Sequence, residues 1–89
     1  LYVLRGSCYY RLNEFDKALD DFYSALKIQP DHIQAINYIG LARLKLKDYK
    51  EGITTFGKLI SLDPQNAIAY NNRGFCYSFL EEYLDAMSD

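Results

Sequence analysis

The sequence is poor in the residue types on which most catalytic and metal-binding sites depend. Its 89 residues include one His, two Cys, one Met and no Trp. Two cysteines are too few for a disulfide framework, and neither Cys8 nor Cys76 has a second ligand at metal-binding spacing. They are expected to be small buried residues. The single histidine, His32, is expected in a turn and has no partner for a Ser-His-Asp or Cys-His arrangement. We therefore expect no enzymatic activity, no metal and no cofactor.

An excess of one charge and long apolar runs are also missing. Ten basic and twelve acidic side chains give a net charge of -2, whereas nucleic-acid-binding domains usually show a basic excess. No apolar run approaches the ~18 residues that a membrane-spanning helix needs. The composition therefore disfavours nucleic acid as a partner and predicts no membrane insertion. Asp16, Asp20 and Asp21 are expected to form a solvated acidic face.

What the sequence does contain is a repeat of 34 residues. When residues 1–21 are aligned with residues 69–89, nine of the 21 positions are identical. The chain is therefore about two and a half copies of one unit, and a period of this length is typical of helical-repeat proteins. Counterparts at this spacing include Gly6, Gly40 and Gly74, then Phe22 and Phe56, then Pro30 and Pro64.

Each unit contains two amphipathic helical patterns. In the first copy, apolar residues from Phe15 to Leu26 follow i, i+3, i+4, i+7 spacing, with charged residues on the opposite side. Pro30 ends that helix, and Asp31 is expected to cap the next one with Gln34 as its capping-box partner. Short turns make sequential helices antiparallel neighbours. The pattern predicts six helices, near 1–12, 15–28, 33–46, 49–62, 67–80 and 83–89.

The recurring glycine needs a reason, because glycine inside a helix costs roughly 1 kcal/mol relative to alanine. We expect Gly6 to face Ala18 and Phe22 of the second helix, where the missing side chain lets two backbones approach and a ring fill the space. Gly40 and Gly74 are expected to do the same in their own units. Each large apolar side chain buried in this way contributes roughly 1.5–3 kcal/mol, which offsets the local cost.

These positions resemble the tetratricopeptide repeat family, whose pattern is a bulky residue, Leu-Gly and Tyr in one helix, then Ala and Phe in the next, closed by Pro. The resemblance covers the whole chain as one domain, 1–89, with repeats near 1–32, 33–66 and 67–89. It implies an all-α, right-handed superhelical solenoid of antiparallel helix pairs, with six helices of which the last is truncated. It also implies a protein-binding scaffold and not an enzyme. The matching residues are Tyr2, Gly6, Tyr9, Ala18, Phe22 and Pro30; Ile36, Ile39, Gly40, Phe56 and Pro64; and Tyr70, Gly74, Tyr77 and Ala86.

Departures from the family pattern are informative. Arg5 and Arg73 replace the usual Leu at a position that we expect to lie at the rim and to matter little. The helix near 49–62 contains Thr54, Thr55 and Gly57, which are poor helix formers. We expect it to be the most weakly formed helix, held in place by its neighbours.

In this family the first helix of each repeat lines a concave groove, so the groove residues follow from the resemblance. Most of them are apolar or aromatic, which predicts a partner that offers apolar side chains, while Asn side chains can bind a peptide backbone through paired donor and acceptor. The same apolar surface is open to a second interpretation, packing against the chain's own flanking helices or against a second copy. The predicted groove residues are Val3, Leu4, Ser7, Tyr10, Asn37, Tyr38, Leu41, Leu44, Lys45, Asn71, Asn72, Phe75 and Phe79.

One binding mode of the family is not expected. Repeats that resemble chaperone-tail receptors hold a C-terminal carboxylate with basic and Asn side chains on three successive groove helices. The matching positions here carry Val3 and Ser7, then Tyr38, then Ile68 and Asn72, so none of the basic groups is present.

The function that the sequence favours is a scaffold that binds a peptide or partner protein through this groove. We expect the scaffold to be part of a longer repeat array. The alternative is a structural or oligomerising segment of a larger protein without a ligand of its own. We expect the natural protein to continue beyond both ends, and the 89 residues alone to self-associate or to be marginally stable.

Overall fold

The computed structural model describes residues 1–88, and every regular element in this range is an α-helix. Each helix packs against the next, and α3 also contacts both α1 and α5. The all-α prediction and the first four predicted helices are confirmed. The five helices are α1 (Tyr2–Arg11), α2 (Phe15–Ile28), α3 (Ile33–Lys45), α4 (Tyr49–Leu62) and α5 (Ala67–Ser88).

The turns inside the first two repeats share one backbone design. Asn13 and Lys47, which are repeat counterparts, both have positive φ angles, of 61° and 63°. After α1, the N–H of Glu14 donates to the carbonyl of Tyr9 at 2.9 Å, and the N–H of Asn13 donates to Tyr10 at 3.0 Å. The same two hydrogen bonds recur after α3, so both helices end in a Schellman motif. This motif turns the chain back at once and makes α1·α2 and α3·α4 antiparallel pairs.

The third repeat does not turn, and the prediction of six helices is wrong for this reason. Residues 67–80 and 83–88 form one helix, α5, which runs through Glu81 and Glu82 without a break. A left-handed residue such as Lys47 costs free energy that only a well-packed following helix offsets. Residues 81–88 are all exposed, and the described residues contain no counterpart of the buried Phe22 and Phe56. With no burial to gain, continuing the helix is favoured.

The turns between repeats differ from the predicted capping box. The side chain that caps α3 is His32, whose Nδ1 accepts from the N–H of Ala35 at 3.2 Å. Asp31 therefore does not have the capping role predicted for it, because the helix begins one residue later. In the next repeat Asn66 has the same position, and its Oδ1 accepts from Ala69 at 3.1 Å. His32, which was expected only to lie in a turn, is thus the capping residue of α3.

The core is built on two phenylalanine rings that lie against glycines. Phe22 and Phe56 are both fully buried. A methyl group placed on Gly6 would lie 2.7 Å from Cε1 of Phe22, and one placed on Gly40 would lie 2.5 Å from Cζ of Phe56. Real side-chain carbons do not approach so closely, so these two rings occupy space that any other residue would fill. The packing role predicted for Gly6 and Gly40 is confirmed.

The same prediction is wrong for Gly74. This glycine is exposed, and a methyl group placed on it would meet nothing within 4 Å. The reason is the unbroken α5, because no second helix within residues 1–88 returns to pack on that side. The sequence around Gly74 resembles that around Gly6 and Gly40, but no phenylalanine ring packs against it as Phe22 and Phe56 do against those two.

An ion pair between the exposed Arg5 and the buried Asp21 joins α1 to α2, and two predictions about its members are wrong. Asp21 was expected on a solvated face but is only 5% exposed. Arg5 was expected to matter little, yet its Nε and Nη2 donate to the two carboxylate oxygens of Asp21 at 2.8 and 2.7 Å. Hydrogen bonds from the Arg5 guanidinium lower the pKa of Asp21. Two parallel bonds of this kind fix both the distance and the orientation of a helix pair.

The two cysteines have different surroundings, and both are free. Cys76 is fully buried against Gly52, where a methyl group would lie 2.9 Å from its Sγ, and burial raises the pKa of its thiol. The prediction of a small buried residue is confirmed for Cys76. It is wrong for Cys8, which is exposed.

Helix α4 forms over its full predicted length and lies between α3 and α5. Its Phe56 and Leu59 are fully buried, so its neighbours do hold it. The hydroxyls of Thr54 and Thr55 donate to backbone carbonyls four residues earlier, which slightly destabilises a helix. That α4 is the most weakly formed helix stays a prediction. It would be contradicted if the amides of α4 were the best protected of all the helices from hydrogen exchange.

Candidate protein-binding groove

The first helices of the three repeats lie side by side, with α3 between α1 and α5. Their second helices, α2 and α4, pack behind them through the glycine contacts described above. One surface of the molecule is therefore formed by α1, α3 and α5 alone. We call this surface the groove.

The predicted groove residues differ widely in exposure. The most exposed apolar residues of the predicted set are Leu4, Phe75 and Phe79, whose side chains are 70%, 47% and 42% exposed. Asn71 and Lys45 are the exposed polar members of the predicted set. The half-buried members are Val3, Tyr10, Asn37, Tyr38, Leu41, Leu44 and Asn72.

Two tyrosines among these residues are part of the packing. The rings of Tyr10 and Tyr38 meet edge-on with centroids 5.6 Å apart, and Tyr38 stacks on Phe22 at 5.0 Å with an interplanar angle of 7°. Tyr10 also meets Phe15 edge-on at 5.5 Å, and burial raises the pKa of its hydroxyl. This row of rings holds α1, α2 and α3 together. Only the outer edges of the two tyrosines are left to contact a partner.

Ser7, Leu41, Leu44 and Phe79 have intramolecular contacts as well. Ser7 is 8% exposed, and its hydroxyl donates to the carbonyl of Leu4 at 2.7 Å. Leu41 and Leu44 pack against the cluster that contains Phe56. The Phe79 ring stacks on Tyr49 at 5.8 Å. Packing thus accounts for part of the apolar character that the sequence assigned to binding.

The polar groups of the groove are few. Asn37 places its Oδ1 in a buried position with no hydrogen-bond partner among the described residues. A buried oxygen of this kind costs free energy unless a donor reaches it. The exposed basic residues along the groove are Arg11 and Lys45, at the far ends of α1 and α3.

Arg43 shows a contact that the sequence did not predict. It stands where Tyr9 and Tyr77 stand in the other repeats, and its Nη2 donates to the hydroxyl of Tyr23 at 3.1 Å. The same guanidinium lies 3.5 Å from the Asp48 carboxylate. It joins α3 to α2 on the side away from the groove. A single arginine in a position otherwise held by tyrosine is the only signal that marked it.

Features expected of other classes of site are not seen in residues 1–88. No group of three or more His, Cys, Asp or Glu side chains is close enough there to hold a metal ion. No helix in that range combines the length and the apolar character needed to span a bilayer. A surface depression of about 270 Å³ lies at the turn between α1 and α2, lined by residues 13–17 and Leu46, and is separate from the groove.

The repeat geometry agrees with comparison to known sequences. The family described as tetratricopeptide repeat matches residues 1–32, and its second description, TPR repeat, matches residues 40–78. The chain belongs to the tetratricopeptide repeat family. Tetratricopeptide repeat domains are protein-interaction modules and are in general not enzymes.

Two relatives in the same family are much longer than this chain. The heat shock protein sti1 homolog of Schizosaccharomyces pombe is 44% identical over 50 residues, which are 56% of this chain and 8% of that protein. Heat shock protein STI1 of Saccharomyces cerevisiae is 36% identical over 69 residues, 78% of this chain and 12% of that protein. The chain therefore spans about a tenth of these two relatives.

A solved structure gives the same fold. The first TPR of Spaghetti (RPAP3), bound to the HSP90 peptide SRMEEVD, superposes with a TM-score of 0.86 at 26% identity, over 90% of this chain and 64% of that one. The helix pairs of the present chain are thus those of a tetratricopeptide repeat domain.

Proposed function

We propose that this tetratricopeptide repeat domain binds a peptide or partner protein in the groove through apolar side chains, as one part of a longer repeat array. The observation that supports the proposal most is the exposure of Leu4 and Phe75 on the surface that α1, α3 and α5 form. Exposed apolar groups on one surface, bordered by polar residues, are typical of interaction sites. Asn71 and Asn72 beside Phe75 supply donors and acceptors for a peptide backbone.

An acidic C-terminal peptide is not the partner we propose. The RPAP3 domain is bound to SRMEEVD, a peptide with three acidic side chains as well as its carboxylate. In the present chain the positions that match the family's carboxylate-binding residues hold Val3, Tyr38 and Ile68 in place of charged or amide groups. Ser7 is buried, and its hydroxyl donates a hydrogen bond to the carbonyl of Leu4. An apolar peptide segment suits these residues better.

A structural or oligomerising role is the second candidate, and one observation favours it. Helix α5 alone exposes eight large apolar side chains. If the domain has no ligand of its own, these residues would be covered by other parts of a larger assembly. The two candidates differ in whether a monomeric domain binds a free peptide. The exposed residues are Ile68, Tyr70, Phe75, Tyr77, Phe79, Tyr83, Leu84 and Met87.

The test is selection of displayed random dodecapeptides on the 89-residue chain, followed by affinity measurement of the selected peptides by fluorescence anisotropy. Phe75→Asp should reduce their affinity at least about tenfold, because an apolar anchor at the centre of an interface commonly contributes more than 1 kcal/mol. Tyr77→Asp is the matched control, since Tyr77 is 55% exposed on the opposite side of the same helix. Circular dichroism should show both variants folded.

The outcomes separate the candidates. If the selected peptides are apolar, and if Phe75→Asp weakens their binding while Tyr77→Asp does not, binding in the groove is supported. No selected peptide, or equal loss in the two variants, would contradict it and favour the structural role. Saturable binding of SRMEEVD to the unmodified chain would contradict the choice of an apolar partner.

A further inference from the structure

The helices that form the groove carry charges of one sign. Helix α1, helix α3 and residues 67–80 of α5 contain five basic side chains and no Asp or Glu. The acidic side chains, which give the chain its net charge of -2, lie on the second helices, in the turns and beyond residue 80. The groove helices are therefore electropositive in a chain that is acidic as a whole, and this favours a partner of the opposite charge.

The stability of isolated helices does not explain this segregation. Acidic residues in the first turn stabilise any helix through its dipole. The second helices follow this rule, with Asp16 in the first turn of α2 and Glu51 in that of α4. None of the three first helices has an acidic residue there. The absence of acidic residues thus belongs to the surface that these three helices share.

Two of the five basic side chains remain available to a partner. Arg5 and Arg43 donate hydrogen bonds to side chains of α2, and Arg73 lies over an aromatic ring at 5.5 Å. Arg11 and Lys45 are exposed, and neither forms an ion pair within residues 1–88. These two cations can therefore pair with carboxylates that a partner supplies.

Arg11 and Lys45 are repeat counterparts, and the third counterpart is Phe79. The first helices run in the same direction, so the three residues form one row across the groove, which we call the Arg11–Phe79 row. Leu4 precedes Arg11 by seven residues and Phe75 precedes Phe79 by four, so each pair lies on one side of its helix. The row therefore borders the most exposed apolar residues of the groove.

We propose that the peptide bound in the groove is extended and carries two acidic side chains and one apolar side chain, about three residues apart, along the Arg11–Phe79 row. The acidic side chains pair with Arg11 and Lys45, and the apolar one contacts Phe79. The spacing follows from packed helix axes about 8–10 Å apart and an extended chain that advances about 3.3 Å per residue. This inference rests on the proposed function and specifies the chemistry of its partner.

The experiment compares two selections of displayed random dodecapeptides, one on the unmodified 89-residue chain and one on the double variant Arg11→Glu/Lys45→Glu. Peptides from the first selection should be enriched in acidic residues at this spacing from an apolar residue, in either chain direction. Peptides from the second should lose the acidic residues and keep the apolar ones. Apolar peptides without an acidic preference would overturn the inference and leave the proposed function standing, whereas failure to select any peptide would contradict both.

Affinities of one selected peptide test the row itself. Lys45→Glu should weaken binding at least about fivefold in low salt, because an attractive contact becomes a repulsive one. The difference should shrink in high salt, which screens exposed charges. Replacing the acidic residues of the peptide by their amides should weaken binding to the unmodified chain and not to Arg11→Glu/Lys45→Glu.

Lys27→Glu is the matched control. Lys27 is exposed in the last turn of α2, as Lys45 is in that of α3, so its variant has the same change in net charge and the same unfavourable interaction with a helix dipole. It should bind the peptide about as tightly as the unmodified chain does, and circular dichroism should show both variants folded. Equal binding by Lys45→Glu and the unmodified chain, or an equal loss with Lys27→Glu, would overturn the inference.

Discussion

At the scale of single residues, the same amino acid has opposite effects according to what packs on it. Gly6 and Gly40 make room for a ring, whereas Gly74 and Gly57 face open space. Sequence alone marked Gly6, Gly40 and Gly74 as equivalent because it shows the local pattern and not the partner helix. Arg5 and Asp21 were missed for a related reason, since each is unremarkable by itself. Their signal was joint: Arg73 and Asp89 repeat the pair, while Ile39 and Thr55 replace both members in the second repeat.

The glycines give a prediction in which the sign of the effect changes. Gly6→Ala should lower the free energy of unfolding by about 1–2 kcal/mol, because Phe22 stacks on Tyr38 and cannot move without loss. Gly74→Ala should raise it by about 1 kcal/mol through helix propensity alone. Urea unfolding followed by circular dichroism measures both, with Gly57→Ala expected to behave like Gly74→Ala. A gain in stability from Gly6→Ala would show that the ring does not need the glycine.

The ion pair gives a prediction about pH. Because Arg5 lowers the pKa of Asp21 in the folded state, the pair stabilises the fold above the ordinary Asp pKa of about 3.9. This contribution is lost as the pH falls from there through the lower folded-state value. Asp21→Asn should therefore reduce stability at pH 7 and have a smaller effect near pH 2, as measured by urea unfolding. Asp20→Asn, an exposed neighbour, is the control, and an effect of Asp21→Asn that did not change with pH would contradict the ion pair.

At the scale of helices, four of the six predicted elements and their antiparallel pairing followed from periodicity and turn residues. The last boundary did not, because a turn forms only where the returning helix buries enough surface. Glu81 and Glu82 occupy the place of Asn13-Glu14 and Lys47-Asp48, yet the helix continues. The sequence signal at this position is weak in all three repeats, and packing decides the outcome.

Hydrogen exchange should reveal where the packing of α5 ends. Ala69 and Cys76 are fully buried, whereas residues 81–88 are all exposed. Isolated helical turns are marginal in water, so amides beyond residue 84 should exchange much faster than those of 73–80. Amides within the core of α3, such as those of Ile39 and Ala42, serve as the protected reference. Equal protection along the whole of α5 would mean that its second half is covered in solution.

At the scale of the whole molecule, three first helices share one surface and two second helices support it. The family and the general position of the groove could be predicted from the repeat. The division of the groove residues between packing and binding could not, because Tyr10 and Tyr38 differ from Leu4 and Phe75 only through contacts made by other helices. Position in the repeat identifies the surface, and the neighbouring side chains determine which residues remain available.

The most direct test of the groove is an NMR map of the amide shifts caused by one selected peptide. The account predicts shifts on all three first helices, around Leu4, Leu41 and Phe75, with none centred on α2 or α4. A peptide whose shifts fell on the backs of the repeats, around Tyr23 and Thr54, would contradict the assignment of binding to the surface of α1, α3 and α5.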